Sequence, residues 1–173
     1  MKNRAWCVPV AIALILGVSE PGKGQEAFVQ APGGNMADMK FTAFPGLPTC
    51  IIGSVQNGDP AKGPSIILAK AAAGCTVPWH WHTPNEHIMM VSGVANLEMK
   101  GGQPLALQAG GFAMMSSRHI HQFRCGAGPC VFYLYTDAVF DIHYVDTQEK
   151  EITPDLALRT VGETVVKEMN KVP

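Results

Sequence analysis

His80 and His82 stand two residues apart, and Glu86 follows after the corner Thr83-Pro84-Asn85. On a strand, residues two apart point to the same face. Val77 to His82 is therefore expected as a strand that presents two imidazoles together, and Glu86 as the first residue of the next apolar run. Two histidines and one carboxylate converging from neighbouring strands outline a metal site. The remainder of the chain has to supply the scaffold and a further ligand.

That scaffold reads as β structure. Short apolar or alternating runs occur at Cys50–Gln56, Ser65–Ala71, Glu86–Ser92, Val94–Lys100, Pro104–Leu107, Phe112–Met115, Ile120–Arg124, Val131–Thr136 and Phe140–Val145. Turn residues separate them, including Asn57-Gly58-Asp59-Pro60, Ser92-Gly93 and Gly101-Gly102. Lys40–Phe44 reads as an edge strand ended by Pro45-Gly46. No helical periodicity precedes Thr153, where a threonine cap followed by Pro154 predicts a short helix over 155–159. About ten short strands at regular spacing predict an antiparallel sandwich or barrel.

The 173 residues suffice for one domain with a sizeable core. Charged residues are only 16% and the net charge is -1, so no basic face is available for nucleic acid. The N-terminus has the pattern of an export signal. Lys2 and Arg4 precede the uncharged apolar run Ala5–Val18, with Gly17/Ser19 or Gly22/Gly24 as small residues at cleavage spacing. The run is short for a membrane span, so no stable membrane insertion is expected after processing. A buried N-terminal helix and an uncleaved anchor are the competing readings. The expected organisation is a signal peptide at 1–19 (cleaved between 19 and 25), a flexible lead-in at 20–39, a barrel at 40–147 and a C-terminal helix and tail at 148–173. The expected location is periplasmic or secreted.

Export changes how the cysteines read. Beyond Cys7, Cys50, Cys75, Cys125 and Cys130 remain, and four cysteines allow three pairings. Cys125-Gly-Ala-Gly-Pro-Cys130 is a short loop between two strand-like runs, so a bridge there closes a hairpin and leaves Cys50 with Cys75. In a reducing compartment the same residues would be buried free thiols.

The stretch Gly74–Gly93 resembles the first motif of the cupin family: Gly, five residues, His-x-His, three residues, Glu, six residues, Gly. Gly74, His80, His82, Glu86 and Gly93 fill every fixed position. The second motif is recognisable in 107–123, with Gly110 at the turn glycine and His121 at the single histidine. Ser116 stands where proline is usual, Arg118 where glycine is, and Cys125 where asparagine often is. His119 is a competing ligand, but the offset from Gly110 and the following Gln122-Phe123 favour His121.

The resemblance implies an all-β fold, an antiparallel jelly-roll β-barrel with a metal in its mouth, held by His80, His82, Glu86 and His121. Three imidazoles and one carboxylate suit a divalent transition metal: Fe, Mn, Ni, Zn, Cu or Co. Within the family the site is similar to that of quercetin-dioxygenase-like proteins. That similarity implies a metal-dependent oxidoreductase acting on a small enolic or aromatic substrate, with Glu86 as catalytic base as well as ligand. Two other readings stay open. One is a non-catalytic module that binds or senses a small ligand; the other is a metal-dependent isomerase or lyase with His119 or Tyr133 as base. Ile88, Met90 and Phe123 share phase with the ligands and, with Tyr133, are the expected lining of an apolar substrate pocket. Trp79 and Trp81 alternate to the other face, as packing or as the surface of a homodimer. His87 is expected at the surface or behind the ligands, and His143 in a structural role.

Overall fold

The computed structural model describes residues 33–159 and 161. The expected signal peptide, most of the lead-in and the C-terminal tail lie outside the described residues. After a 3-10 turn at Met36–Asp38 come β1 (Ile51–Gly58), β2 (Ser65–Ala71), β3 (Thr76–Trp81), β4 (Glu86–Ser92), β5 (Ala95–Met99), β6 (Leu105–Leu107), β7 (Phe112–Met115), β8 (His121–Cys125), β9 (Cys130–Thr136), β10 (His143–Val145) and β11 (Glu151–Ile152). They form two antiparallel sheets, a five-stranded one in the order β1-β2-β9-β4-β7 and a six-stranded one in the order β11-β10-β3-β8-β5-β6. This is the jelly roll anticipated from the motifs.

The inner faces meet in one core. Ile67, Ala69, Ile88, Phe132 and Leu134 come from the first sheet, and Val77, Leu97 and Phe123 from the second. Strand alternation puts every second residue of β9 into it: Cys130, Phe132, Leu134 and Thr136 are buried, and the residues between them are half-buried. A short helix, α1 (154–159), follows β11. Thr153 caps it through its hydroxyl and carbonyl oxygens, both accepting from Leu156 N–H, and Pro154 opens it, as the sequence predicts. Among the described residues, no helix is long and apolar enough to cross a membrane.

Two features depart from the strand pattern read in the sequence. Lys40–Phe44 is not a strand. Pro45-Gly46 and Pro48 break the run, leaving one bridge in which Thr42 and Gly53 exchange two 2.9 Å hydrogen bonds. Residues 41–48 instead form a strap beside β1. In β3 the register shifts between Val77 and His80, so both are buried although they are three positions apart. Pro78 has no N–H to give the ladder and lies within that irregularity.

Gly93, the last fixed residue of the first motif, has φ +81°, and a Cβ there would lie 2.3 Å from the Pro129 carbonyl oxygen. Glycine is thus required both by backbone conformation and by the close approach of the β8–β9 loop.

Both bridges form, Cys50–Cys75 and Cys125–Cys130. Their sequence separations are 25 and 5 residues. Loop-closure entropy then assigns the longer loop about 3.5 kcal/mol and the shorter about 2 kcal/mol. Replacing Cys50 and Cys75 together by alanine is expected to lower the unfolding free energy by about that larger amount, and the Cys125/Cys130 pair by the smaller. Denaturant melts of the two double variants check the order.

Candidate metal centre

The four expected ligands converge at one end of the barrel. His80 lies on β3 and His121 opens β8, paired in register across the sheet. His82 follows the last residue of β3, and Glu86 opens β4 in the other sheet. The centre therefore joins the two sheets. One ligand atom from each of the four residues lies within 4.8 Å of all the others, and all four residues are buried.

Hydrogen bonds fix which ring nitrogen faces inward. Nδ1 of His80 donates to Pro78 O at 2.6 Å, Nδ1 of His121 to His119 O at 2.8 Å, and Nδ1 of His82 to Asp141 O. A carbonyl oxygen only accepts, so each Nδ1 carries the proton and each neutral ring keeps its Nε2 lone pair for the centre. His82 Nε2 is buried and has no hydrogen-bond partner. Nε2 of His121 and of His82 lie 3.1 and 3.5 Å from Glu86 Oε2. An orphaned imidazole nitrogen among three inward lone pairs and a carboxylate is the donor set a divalent transition metal takes.

The protonation pattern agrees. Burial, helped by the neighbouring charges of His121 and His82, holds His80 well below the ordinary histidine value of 6.5, so it is neutral and ready to ligate. Burial alone would lower His82 too and is its largest influence. The neighbouring Glu86 carboxylate, with the Asp141 carbonyl, outweighs it and raises His82 above 6.5. Burial likewise opposes ionisation of Glu86, yet His82 and His121 overcome it and hold the carboxyl well below 4.5.

Metal binding must displace the His82 proton, so affinity is expected to rise with pH through 6.5 and to level off once His82 is neutral. His80, depressed, adds no slope there. Zinc titrations across that range, reading proton release on binding that falls away as the pH rises, check the sign.

The corner between His82 and Glu86 is tied down at each end. The Asp141 carboxylate accepts from Thr83 N–H at 2.7 Å, and Asp137 accepts from both the backbone and the side-chain nitrogen of Asn85. These bonds keep both aspartyl groups below the ordinary carboxylate value of 3.8, although burial opposes ionisation of Asp141. Ser117 donates its hydroxyl to Thr83 O and its N–H to Asn85 Oδ1, and Arg118 N–H donates to His82 O. The corner 116–118, where the second motif departs from the cupin pattern, is thus what clamps the first motif in place. Arg118 has φ +59° to do so.

A cavity of about 50 Å³ adjoins the ligands. Ile88 and Phe123 line it as expected. Met90 does not: it is buried opposite Phe132, one inward position farther along β4 than Ile88. Tyr133 is a correction. Phe132 and Leu134 take the inward positions of β9, and alternation turns Tyr133 to the outer face. His119 is exposed, its Nε2 3.2 Å from Lys100 O, and takes no part in the cluster.

The tryptophans are less bare than expected. Trp81 stacks on His143 at 3.9 Å with Arg118 4.8 Å from its ring, and Lys100 Nζ lies 5.6 Å from the Trp79 ring. His143 directs its two ring nitrogens at Asp141 and Glu151, which is the structural role expected of it. Nothing in the sequence sets apart Asp141, Phe140, whose ring lies 5.1 Å from His82, or Tyr144, whose ring lies 5.9 Å from His80. Their signal was confined to the run Phe140–Val145, which reads only as a strand.

Residues 68–136 match the family pattern described as the cupin domain. The barrel has the cupin fold. Several solved structures resemble it. The polyketide cyclase RemF from Streptomyces resistomycificus is 15% identical, with a TM-score of 0.59 over 68% of this chain and 87% of that one. An RmlC-like cupin protein from Ralstonia eutropha is 19% identical, with a TM-score of 0.57 over 72% and 78%. A structure of the DMSP lyases RdDddP and RnDddQII is 17% identical, with a TM-score of 0.50 over 56% of this chain; the chain spans only 53% of that protein's length. These similarities show a common fold. No curated protein matches the sequence.

Proposed function

We propose that this cupin is an exported metal-dependent oxidoreductase that acts, with dioxygen as co-substrate, on a small enolic or aromatic molecule. The observation that carries the reading is the orphaned His82 Nε2, buried with two further imidazoles and a carboxylate against an apolar cavity. A divalent ion held by His80, His82, Glu86 and His121 would supply Lewis acidity and a coordination position for a small ligand. Glu86, ionised because of its two histidine neighbours, is the base within reach of an acidic proton on that ligand. The apolar walls exclude water and favour an uncharged guest. The two disulfides and the basic-then-apolar start support export to an oxidising compartment. A second copy is the partner we propose for the outer face of the five-stranded sheet, where Phe112 and Met114 are exposed beside His87, whose buried Nδ1 lacks a partner.

The isomerase or lyase reading loses both of its bases, since His119 and Tyr133 lie outside the cavity. The burial of all four ligands favours the binding-module reading instead, and one assay separates it from catalysis. Oxygen uptake by the metal-loaded protein is measured over a panel of enols and small phenols. Uptake that disappears in Glu86→Gln, with metal content retained, supports the enzyme. Metal-loaded protein that binds panel members yet consumes no oxygen would establish the binding module and sink the oxidoreductase.

A further inference from the structure

The cavity at the metal centre meets solvent through three side chains. Phe44, Leu47 and Phe140 are half-buried, and every other lining residue is buried. Phe44 and Leu47 belong to the strap 41–48. The strap is held by the paired Thr42–Gly53 bonds and by Tyr144 Oη, which donates to Gly46 O at 2.8 Å. Phe44 sits where Gly53 leaves room for it: a Cβ on Gly53 would lie 2.6 Å from Phe44 Cε2 and 2.8 Å from Ile67 Cγ2. The missing side chain in β1 is the seat of the Phe44 ring.

The enclosed volume is about 50 Å³. An apolar cavity that takes up benzene measures about 150 Å³, so no ring-sized ligand fits beside the metal while Phe44 is seated. The walls also restrict charge. Their polar side chains are His80, His82 and Glu86, all committed to the centre, and no lysine or arginine lines the cavity. A divalent ion with Glu86 leaves one positive charge, which one ionised oxygen of a ligand cancels. A second anionic group would be buried without a counter-charge, which strongly disfavours its entry.

On the reading of the site given above, we propose that Phe44 is the gate that sets what reaches the metal. The closed site admits a neutral molecule of a few atoms. A ring-sized ligand enters only when the Phe44 ring is displaced, and it carries no charge beyond the one it develops at the metal. The strap thus selects substrate by size, and the walls select by charge.

The test uses Fe(II)-loaded protein under anaerobic conditions. Nitric oxide serves as a two-atom neutral probe, imidazole as a ring-sized neutral probe, and imidazole-4,5-dicarboxylate, whose second carboxylate exceeds the charge the metal cancels, as a charged one. The readout is the visible absorption and spin-resonance signal of the nitrosyl, and its suppression by either azole. In wild-type protein nitric oxide is expected to give the full signal and imidazole to leave it intact. In Phe44→Ala imidazole is expected to suppress the signal at a concentration lower by about tenfold or more, whereas the dicarboxylate does not. Phe44→Val keeps an apolar contact with β1 and carries the same comparison should alanine loosen the strap.

Equal suppression by imidazole in wild type and variants would overturn the gate. Suppression by the dicarboxylate as strong as by imidazole would overturn the charge selection. Failure of nitric oxide to bind in any of the proteins would remove the open coordination position itself. That result overturns the underlying reading together with the proposal, and it differs from the first two.

Discussion

Alanine at His121 is expected to abolish metal binding, while alanine at His119 leaves it unchanged. The two histidines are two residues apart on one corner, and both are candidates from composition alone. His121 is 2% exposed, its Nδ1 is tied to the His119 carbonyl, and its Nε2 is turned to the centre. The His119 ring is exposed and touches only the Lys100 carbonyl. Its backbone oxygen, which orients His121, survives substitution. Loss of a partner that merely orients a ligand lowers affinity by about 10–100-fold, so removal of the ligand itself should exceed that. Titration of the metal-free proteins with zinc or cobalt reads both variants. Equal weakening by the two substitutions would show that the corner, not the His121 imidazole, governs binding.

The largest stability effect is expected from Phe132→Ala. Phe132 is central to β9, lies 4% exposed, faces Met90 and Ala69 across two strand pairs, and packs against Phe123 at 5.1 Å. Truncating such a ring in a closed core costs about 3–5 kcal/mol, since the barrel cannot collapse onto the void. That is a large part of a domain stability of about 5–15 kcal/mol. Tyr133→Ala, on the outer face of the same strand, should cost distinctly less. Urea melts of the metal-free proteins give the comparison without a contribution from bound metal. Equal losses at the two positions would contradict the inward and outward assignment of β9.

The difference between Phe132 and Tyr133 also shows where the sequence was legible. Val131–Thr136 is apolar or aromatic at nearly every position, so the strand is plain and its phase is not. Phase comes from the partners Met90 and Ile88, which only the folded register reveals. The ligands were legible because their chemistry is unusual and their spacing local: His80, His82 and Glu86 lie within one stretch, and His121 follows a recognisable turn glycine. What surrounds them was not. Asp141 reaches His82 through its backbone oxygen, a contact any residue type could make. Phe44 looked like the end of an edge strand, because nothing local distinguishes a strand residue from a strap residue that rests on a glycine in β1.

The proposed chemistry depends on the cluster of three imidazoles and a carboxylate being a metal centre. The most direct check is elemental mass spectrometry on the protein as purified, followed by reloading after chelation. About one divalent transition-metal ion per chain in the wild type, lost in His121→Ala and regained only by the wild type, is the expected result. A wild-type protein that arrives metal-free and takes up none of Fe, Mn, Ni, Zn, Cu or Co would contradict it.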